Sequence, residues 1–260
     1  MPTSLSKSLG KGLLPWALPI VLIALWQLLG QFGIISTRIL STPSAVLAAG
    51  IHLAEKGTLF DYIGASSKRA FLGFAIGGSI GFALGLINGL LPILEKITDT
   101  SVQMLRNIPH LAMIPLVILW FGIGEEGKLF LVAFGVFFPI YLNTFHGIRS
   151  VDPGLIEMGR VYGLRHIHLF RKVIVPGALP SILVGIRFSL GIMWITLIVA
   201  ETISSSSGIG YMAMNAREFL QMDVVILSIL VYALLGKLSD YMAKLLERAW
   251  LQWHPNFLKP

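Results

Sequence analysis

The chain contains no cysteine. Disulfides, thiolate-held metals and cysteine nucleophiles are therefore excluded, while the redox character of its compartment stays open. Charge is scarce too: charged residues make up 13% of the chain, where a soluble domain carries about 25%. Carboxylates are missing from the middles of the apolar runs. Glu95, Asp99, Glu125, Glu201 and Asp223 all fall at run ends or in loops. An ion-coupled secondary transporter works through ionisable groups near mid-membrane, so that class is an alternative with little to support it. No H-E-x-x-H occurs, and His166 and His168, two apart, share no helix face. An intramembrane hydrolase lacks its catalytic set.

What the chain has is apolar length. Hydrophobic residues are 55% of its 260, which indicates an all-α integral protein of a lipid bilayer. The net charge is +7, but the basic residues flank apolar segments instead of forming a patch with interleaved aromatics. Nucleic acid is not an expected partner. The runs predict six transmembrane helices, near 13–29, 71–91, 99–121, 129–145, 179–200 and 224–243. No small-x-small cleavage site follows the first run, so it reads as an uncleaved span and not a signal peptide. Residues 32–68 are too polar to span and should form one or two short helices on the outer surface. Lys7, Lys11, Lys96, the five cations from Arg149 to Lys172, Lys237, Lys244, Arg248 and Lys259 fall on one side. Arg38, Lys56, Lys68, Arg69, Lys128 and Arg217 fall on the other. The richer side is cytoplasmic, which places both termini there. Lys68 and Arg69 then sit awkwardly at an outer boundary.

Two stretches carry motif-like spacing. Gly73, Gly77, Gly81, Gly85 and Gly89 recur every four residues and line one helix face, where another backbone can pack closely. Within them Gly77-Gly78-Ser79-Ile80-Gly81 spells G-x-S-x-G, which needs a strand-to-helix turn that this ladder does not offer. Residues 122–128 match a phosphate-binding G-x-x-x-x-G-K, but Leu129 stands where Ser or Thr belongs, and Glu125 and Glu126 would face phosphate. Neither a nucleotide site nor a metal site is expected in this chain.

The third run is the least apolar. Gln103, Arg106, Asn107 and His110 stand at i, i+3, i+4 and i+7, one polar stripe near mid-bilayer. An arginine facing lipid there costs about 3 kcal/mol or more, so the stripe should face protein or water. Two readings stay open: a polar contact inside the bundle, or the lining of a pathway that admits an anion. Glu201, beside the flexible 204–210 turn, is the candidate at the outer end of such a pathway.

The longest polar interval is 151–176. Asp152 is a good N-cap, Pro153 suits the first helical position, and Gly163 suits the left-handed position past a helix end. A second helix is expected over 165–173, with Ile167, Phe170 and Ile174 as its apolar stripe and Pro176 closing the segment. A solvated loop and a docking element for a soluble partner both fit. The residue pattern decides between them. Glu157-Met158-Gly159, three residues, Gly163, nine residues, then Val173-Ile174-Val175-Pro176 resembles the EAA signature of ABC-importer permeases. It departs with Met158-Gly159 for Ala-Ala, Val173 for Ile and Val175 for Leu.

The resemblance runs through LRNIPHLAMIPLVILWFGIG and LIVAETISSSSGIGYMAMNAREFL and covers about 15–254. It points to the nitrate/taurine/sulfonate group, nearest its aliphatic-sulfonate permeases. It implies a type I, MetI-like permease core in a bacterial inner membrane, non-catalytic and paired as a homodimer. It also implies two ATP-binding cassette subunits, which bind ATP and Mg, and an extracytoplasmic solute-binding protein. The coupling residues it implies are Glu157, Met158, Gly159, Arg160, Gly163, Arg165 and Pro176. Taurine, nitrate, bicarbonate or a pyrimidine precursor stay open as cargo. The expected division is 1–58 for the tail, first span and outer segment, 59–250 for a five-helix core, and 251–260 for a cytoplasmic tail.

Overall fold

The computed structural model describes residues 4–253, with side chains from residue 17 onward except at residue 204. Among the described residues every regular element is helical. The chain forms two compact units, one of residues up to 62 with 212–231, the other of 63–211 with 232 onward.

The first unit holds α1 (Ser4–Gln31) and α2 (Pro43–Glu55). Thr42 caps α2, its hydroxyl accepting from the Ala45 N–H at 3.4 Å, and Pro43 takes the first turn, where an N–H has no partner to lose. The Gln27 amide clamps Ser44 from both sides. Its Nε2 donates to Ser44 Oγ at 3.0 Å and its Oε1 accepts from the Ser44 N–H at 3.1 Å.

The second unit is built on α3 (Thr58–Leu90) from residue 63, on α6 (Glu125–Arg149) and α9 (Val175–Ser204), and on α11 (Met222–Trp250) from residue 232; α10 (Ile209–Glu218) lies between α9 and α11 in the chain. The glycine ladder of α3 lies against α6. A Cβ on Gly73 would stand 2.6 Å from Val132 Cγ1, one on Gly81 2.5 Å from the Phe137 carbonyl, one on Gly85 2.6 Å from the Tyr141 carbonyl, and one on Gly89 2.9 Å from Ile148 Cβ. At Gly77 it would run into the Ala133 carbonyl. Both partners ascend in sequence together, so α3 and α6 are parallel. The chain between them must therefore recross the same thickness once.

It does so in pieces. α4 (Pro92–Arg106) gives way to a 3-10 turn (His110–Met113) and α5 (Ile114–Phe121), and the halves are bent by 79°. The span expected over 99–121 is thus broken in two, where its prolines interrupt the backbone hydrogen bonding. Pro109 has no N–H to donate and disfavours helical backbone at Ile108, which ends α4 there. Pro115 falls in the first turn of α5, where it is tolerated.

α9 runs antiparallel to α6. Ser181 Oγ donates to the Asn143 carbonyl at 2.8 Å, and Ser189 Oγ to that of Val136 at 3.2 Å. Trp194 Nε1 donates to Ser239 Oγ of α11 at 2.8 Å. The core lies along these contacts, with Val132, Val136, Tyr141, Leu183, Met193 and Leu197 all buried.

Four helices are long and apolar enough to cross a membrane: Thr58–Leu90, Glu125–Arg149, His166–Ile203 and Met222–Trp250. The bent pair makes a fifth if it counts as one span; the expected first span, 13–29, begins before the residues whose side chains are described, of which Ala17–Gln31 is an apolar helix. The expected six spans are therefore not all present as full-length apolar helices among the described residues. α3 also starts earlier than expected, at Thr58 and not near 71. Lys68 and Arg69 thus lie inside a helix and not at a loose boundary.

Candidate functional site

The 151–176 segment is a stiff projection. The Asp152 carboxylate accepts from the Gly154 N–H at 2.7 Å and opens α7 (Pro153–Val161), with proline in its first turn. Gly163 takes φ +78°, and the chain reverses. α8 (His166–Leu169) then leads through a π turn (Phe170–Ile174) into α9. The helix is continuous from His166 to Ile203, so Pro176 does not close the segment. A proline ring presses on the carbonyl four residues earlier, and the wide turn just before Pro176 lies where that pressure falls.

The apolar stripe differs from the expected one. Leu169 is buried against α7, where a Cβ on Gly159 would come within 2.7 Å of Leu169 Cδ1. Ile167 points outward instead, 59% exposed. The outer surface of the projection carries Val161 and Tyr162, 86% and 79% exposed, with Leu155 and Met158 beside them. Glu157, Arg160, Gly163 and Arg165 are exposed around this apolar tip, while Gly159 is buried and Pro176 half-buried. Soluble proteins rarely leave such a cluster uncovered unless something binds there.

The polar stripe is split by the bend. Gln103 and Arg106 stay on α4, joined by a bond from Arg106 Nη1 to Gln103 Oε1 at 3.3 Å, with Gln103 Nε2 donating to Asp99 at 3.3 Å. Asn107 caps the C-terminus of α4 and is exposed. His110 belongs to the next piece and pairs with Thr196 of α9 at 3.1 Å. One face does not hold all four. Arg106 and Asn107 are the exposed members.

At the opposite end from the projection, Glu201 is 1% exposed. Its carboxylate accepts from Ser66 Oγ at 2.7 and 2.9 Å, Arg69 Nη1 at 2.7 Å, Tyr232 OH at 2.8 Å and the Gly210 N–H at 3.0 Å. Arg69 also forks onto Glu125, Nε to Oε2 at 2.5 Å and Nη2 to Oε1 at 2.8 Å. Its remaining donors reach the Ser207 carbonyl at 2.8 Å and Ser207 Oγ at 2.6 Å. Lys128, also buried, adds a 3.1 Å bond to Glu125. Gly208, at φ +103°, lies flat against the Glu201 carboxylate, where a Cβ would come within 2.6 Å of Cδ. The 205–210 turn is thereby fastened to α3, α6 and α9. Glu201 is fully engaged in this cluster and is not open to a passing solute.

Ser66, Ser207 and Tyr232 draw no notice in the sequence, and Arg69, Glu125 and Lys128 stand out there only as boundary or loop charges and not as site residues. One local signal was available: Ser66, Arg69, Gly73 and Gly77 share the helix face of the glycine ladder. A cation on a close-packing face has to be paired. Residues 122–128 form a turn into the first residues of α6, with Gly122 at φ +70°, and Ser79 lies exposed within α3. No group of three or more metal-type ligands occurs among the described residues.

Residues 75–252 match the family described as the binding-protein-dependent transport system inner membrane component. The chain is 60% identical over 243 residues to the Escherichia coli (strain K12) protein that carries the name aliphatic sulfonates transport permease SsuC, covering 94% of this chain and 92% of that one. It is 47% identical over 247 residues to the similarly named Bacillus subtilis (strain 168) protein, covering 95% and 88%. Among solved structures, the crystal structure of an amino acid ABC transporter with histidines matches with a TM-score of 0.63 at 19% identity, over 76% of this chain and 96% of that one.

Proposed function

This chain belongs to the family of binding-protein-dependent transport system inner membrane components, and we propose that it is the permease subunit of an ATP-driven importer of aliphatic sulfonates. The observation that carries the reading is its 60% identity, over nearly its whole length, to a permease named for that cargo. Members of the family are non-catalytic membrane subunits of ABC importers.

The α7 projection is the coupling element. Glu157, Met158, Gly159, Arg160, Gly163, Arg165 and Pro176 build it, and Val161 and Tyr162 form the apolar tip that enters a cleft of the ATPase subunit. ATP and Mg are bound there and not in this chain. Two copies of the chain pair about a twofold axis, each carrying one ATPase subunit. When the ATPases close on ATP, they draw the two projections together and the helices rock between inward- and outward-facing forms. Both termini lie in the cytoplasm. The 205–210 turn lies on the outer side, where an extracytoplasmic solute-binding protein delivers its cargo. Gln103, Arg106, Asn107 and His110 stand at the broken span, and Arg106 is the member of that set available to an anion.

The test is reconstitution of the chain with its ATPase and binding protein in liposomes. ATP-dependent uptake of labelled ethanesulfonate or a longer alkanesulfonate is expected, with no uptake when the ATPase is omitted. Uptake driven by an ion gradient alone would overturn the reading.

A further inference from the structure

We propose that the groove between α9 and α11 around Arg187 seats the transported anion on its way through: the guanidinium takes the sulfonate and the α9 wall takes the alkyl chain. This rests on the sulfonate reading above. α9 is packed on most of its circumference. Val184, Phe188, Gly191 and Ile195, at i, i+4, i+7 and i+11, form its narrow exposed stripe, with Phe188 at 63%. Nothing lies within 4 Å of where a Gly191 Cβ would stand. These residues and Arg187 line a groove of about 470 Å³, within the range of small-ligand sites.

A lipid-facing stripe would exclude Arg187, because a cation in an apolar run is costly against hydrocarbon. Yet the Arg187 side chain is 39% exposed in this groove. Its Nε donates to Asp240 Oδ1 at 2.7 Å, and Nη1 lies 3.8 Å from Glu247 Oε2. Asp240 does not neutralise it alone, since the same carboxylate also meets Lys244 at 2.9 Å and Lys237 at 3.9 Å. Three cations thus face two carboxylates, leaving a cationic surplus beside an apolar wall. A planar guanidinium offers paired donors to the oxygens of a sulfonate, and the wall rewards each methylene of the tail. An organic anion with an apolar tail is what this groove recognises. An anionic phospholipid shares that chemistry.

The experiment uses the assembled complex in phosphatidylcholine nanodiscs without nucleotide, with hexane- and octanesulfonate titrated calorimetrically. Affinity is expected to rise by about fourfold per added methylene. R187Q/D240N removes the guanidinium together with its nearest carboxylate and leaves the net charge of the cluster unchanged. It should weaken binding at least tenfold and raise the uptake KM. If R187Q/D240N binds and imports like the unaltered complex, the pair is only structural and the assignment falls. It falls equally if phosphatidylglycerol, but not octanesulfonate, protects a cysteine placed at Ile195 from N-ethylmaleimide. Should the unaltered complex import no alkanesulfonate, the functional reading fails and takes the groove with it. Normal import alongside an indifferent R187Q/D240N sinks the groove alone.

Discussion

Arg69 and Glu201, 132 residues apart in sequence, meet at 2.7 Å with side chains 7% and 0% exposed. Burying one charge of such a pair without the other is expensive. Arg69→Ala should therefore destabilise the protein by about 3–5 kcal/mol. Arg69→Lys keeps the charge but cannot fork onto Glu125 while reaching Ser207 and Glu201, so an intermediate loss is expected. Arg38→Ala, at an exposed site, should stay within about 0.5 kcal/mol. Thermal unfolding of the purified variants in one detergent gives the order. Equal midpoints for Arg69→Ala and Arg38→Ala would refute the role assigned to the cluster.

The ladder of α3 makes a sharper comparison, because the same substitution should have opposite effects along one helix. At Gly77 and Gly81 an added methyl meets α6 backbone, which cannot swing aside. At Gly64 nothing lies within 4 Å. Gly77→Ala and Gly81→Ala should each cost about 1–3 kcal/mol through overpacking. Gly64→Ala should gain about 0.4–1 kcal/mol from the unfolded chain's lost freedom. Thermal midpoints moving in the same direction for all three would show that helix propensity, and not close packing, governs this face.

These two sets of residues mark where sequence was informative and where it was not. The glycine spacing is local and periodic, so it is visible without a structure, as is the Asp152-Pro153 start of α7. The break after Arg106 was half visible. Pro109 lacks the N–H that a continuous helix needs, but the 79° bend is a tertiary choice. The π turn before Pro176 was hidden because a proline reads as a stop, while packing of α9 on α6 carries the helix through it. The Arg69 cluster was hidden because its members come from four distant stretches. Its charged members looked like ordinary boundary charges alone, and only the parallel docking of α3 on α6 brings Arg69 to Glu125.

The α7 tip leads to a third prediction. Val161 and Tyr162 are solvent-exposed apolar groups on a rigid, capped turn, the arrangement of an interface anchor. Val161→Asp and Tyr162→Ala should leave folding within about 0.5 kcal/mol, since neither is buried. Each should lower retention of the ATPase subunit during purification by at least tenfold. Gly163→Ala acts differently: at φ +78° it strains the turn and costs about 1 kcal/mol of stability. A Tyr162→Ala complex that retains its ATPase in full would remove this tip from the interface.

The absence of cysteine makes orientation measurable with single introduced thiols. Ser206 is exposed, while Gly208 and Gly210 beside it are buried against Glu201. Glu157 is exposed on the α7 projection. The α3, α6, α9 and α11 contacts put these two positions at opposite ends of the second unit. A thiol at Ser206 should react with a membrane-impermeant maleimide in intact cells, and one at Glu157 only after the membrane is opened. Adding Arg69→Gln to the Ser206→Cys variant frees the 205–210 turn from two of its anchors, the Ser207 carbonyl and hydroxyl bonds. Labelling should then quicken by several-fold without changing sides. Reaction of both positions from the same side would contradict the antiparallel placement of α9 on α6, because α9 is the one crossing between Glu157 and Ser206.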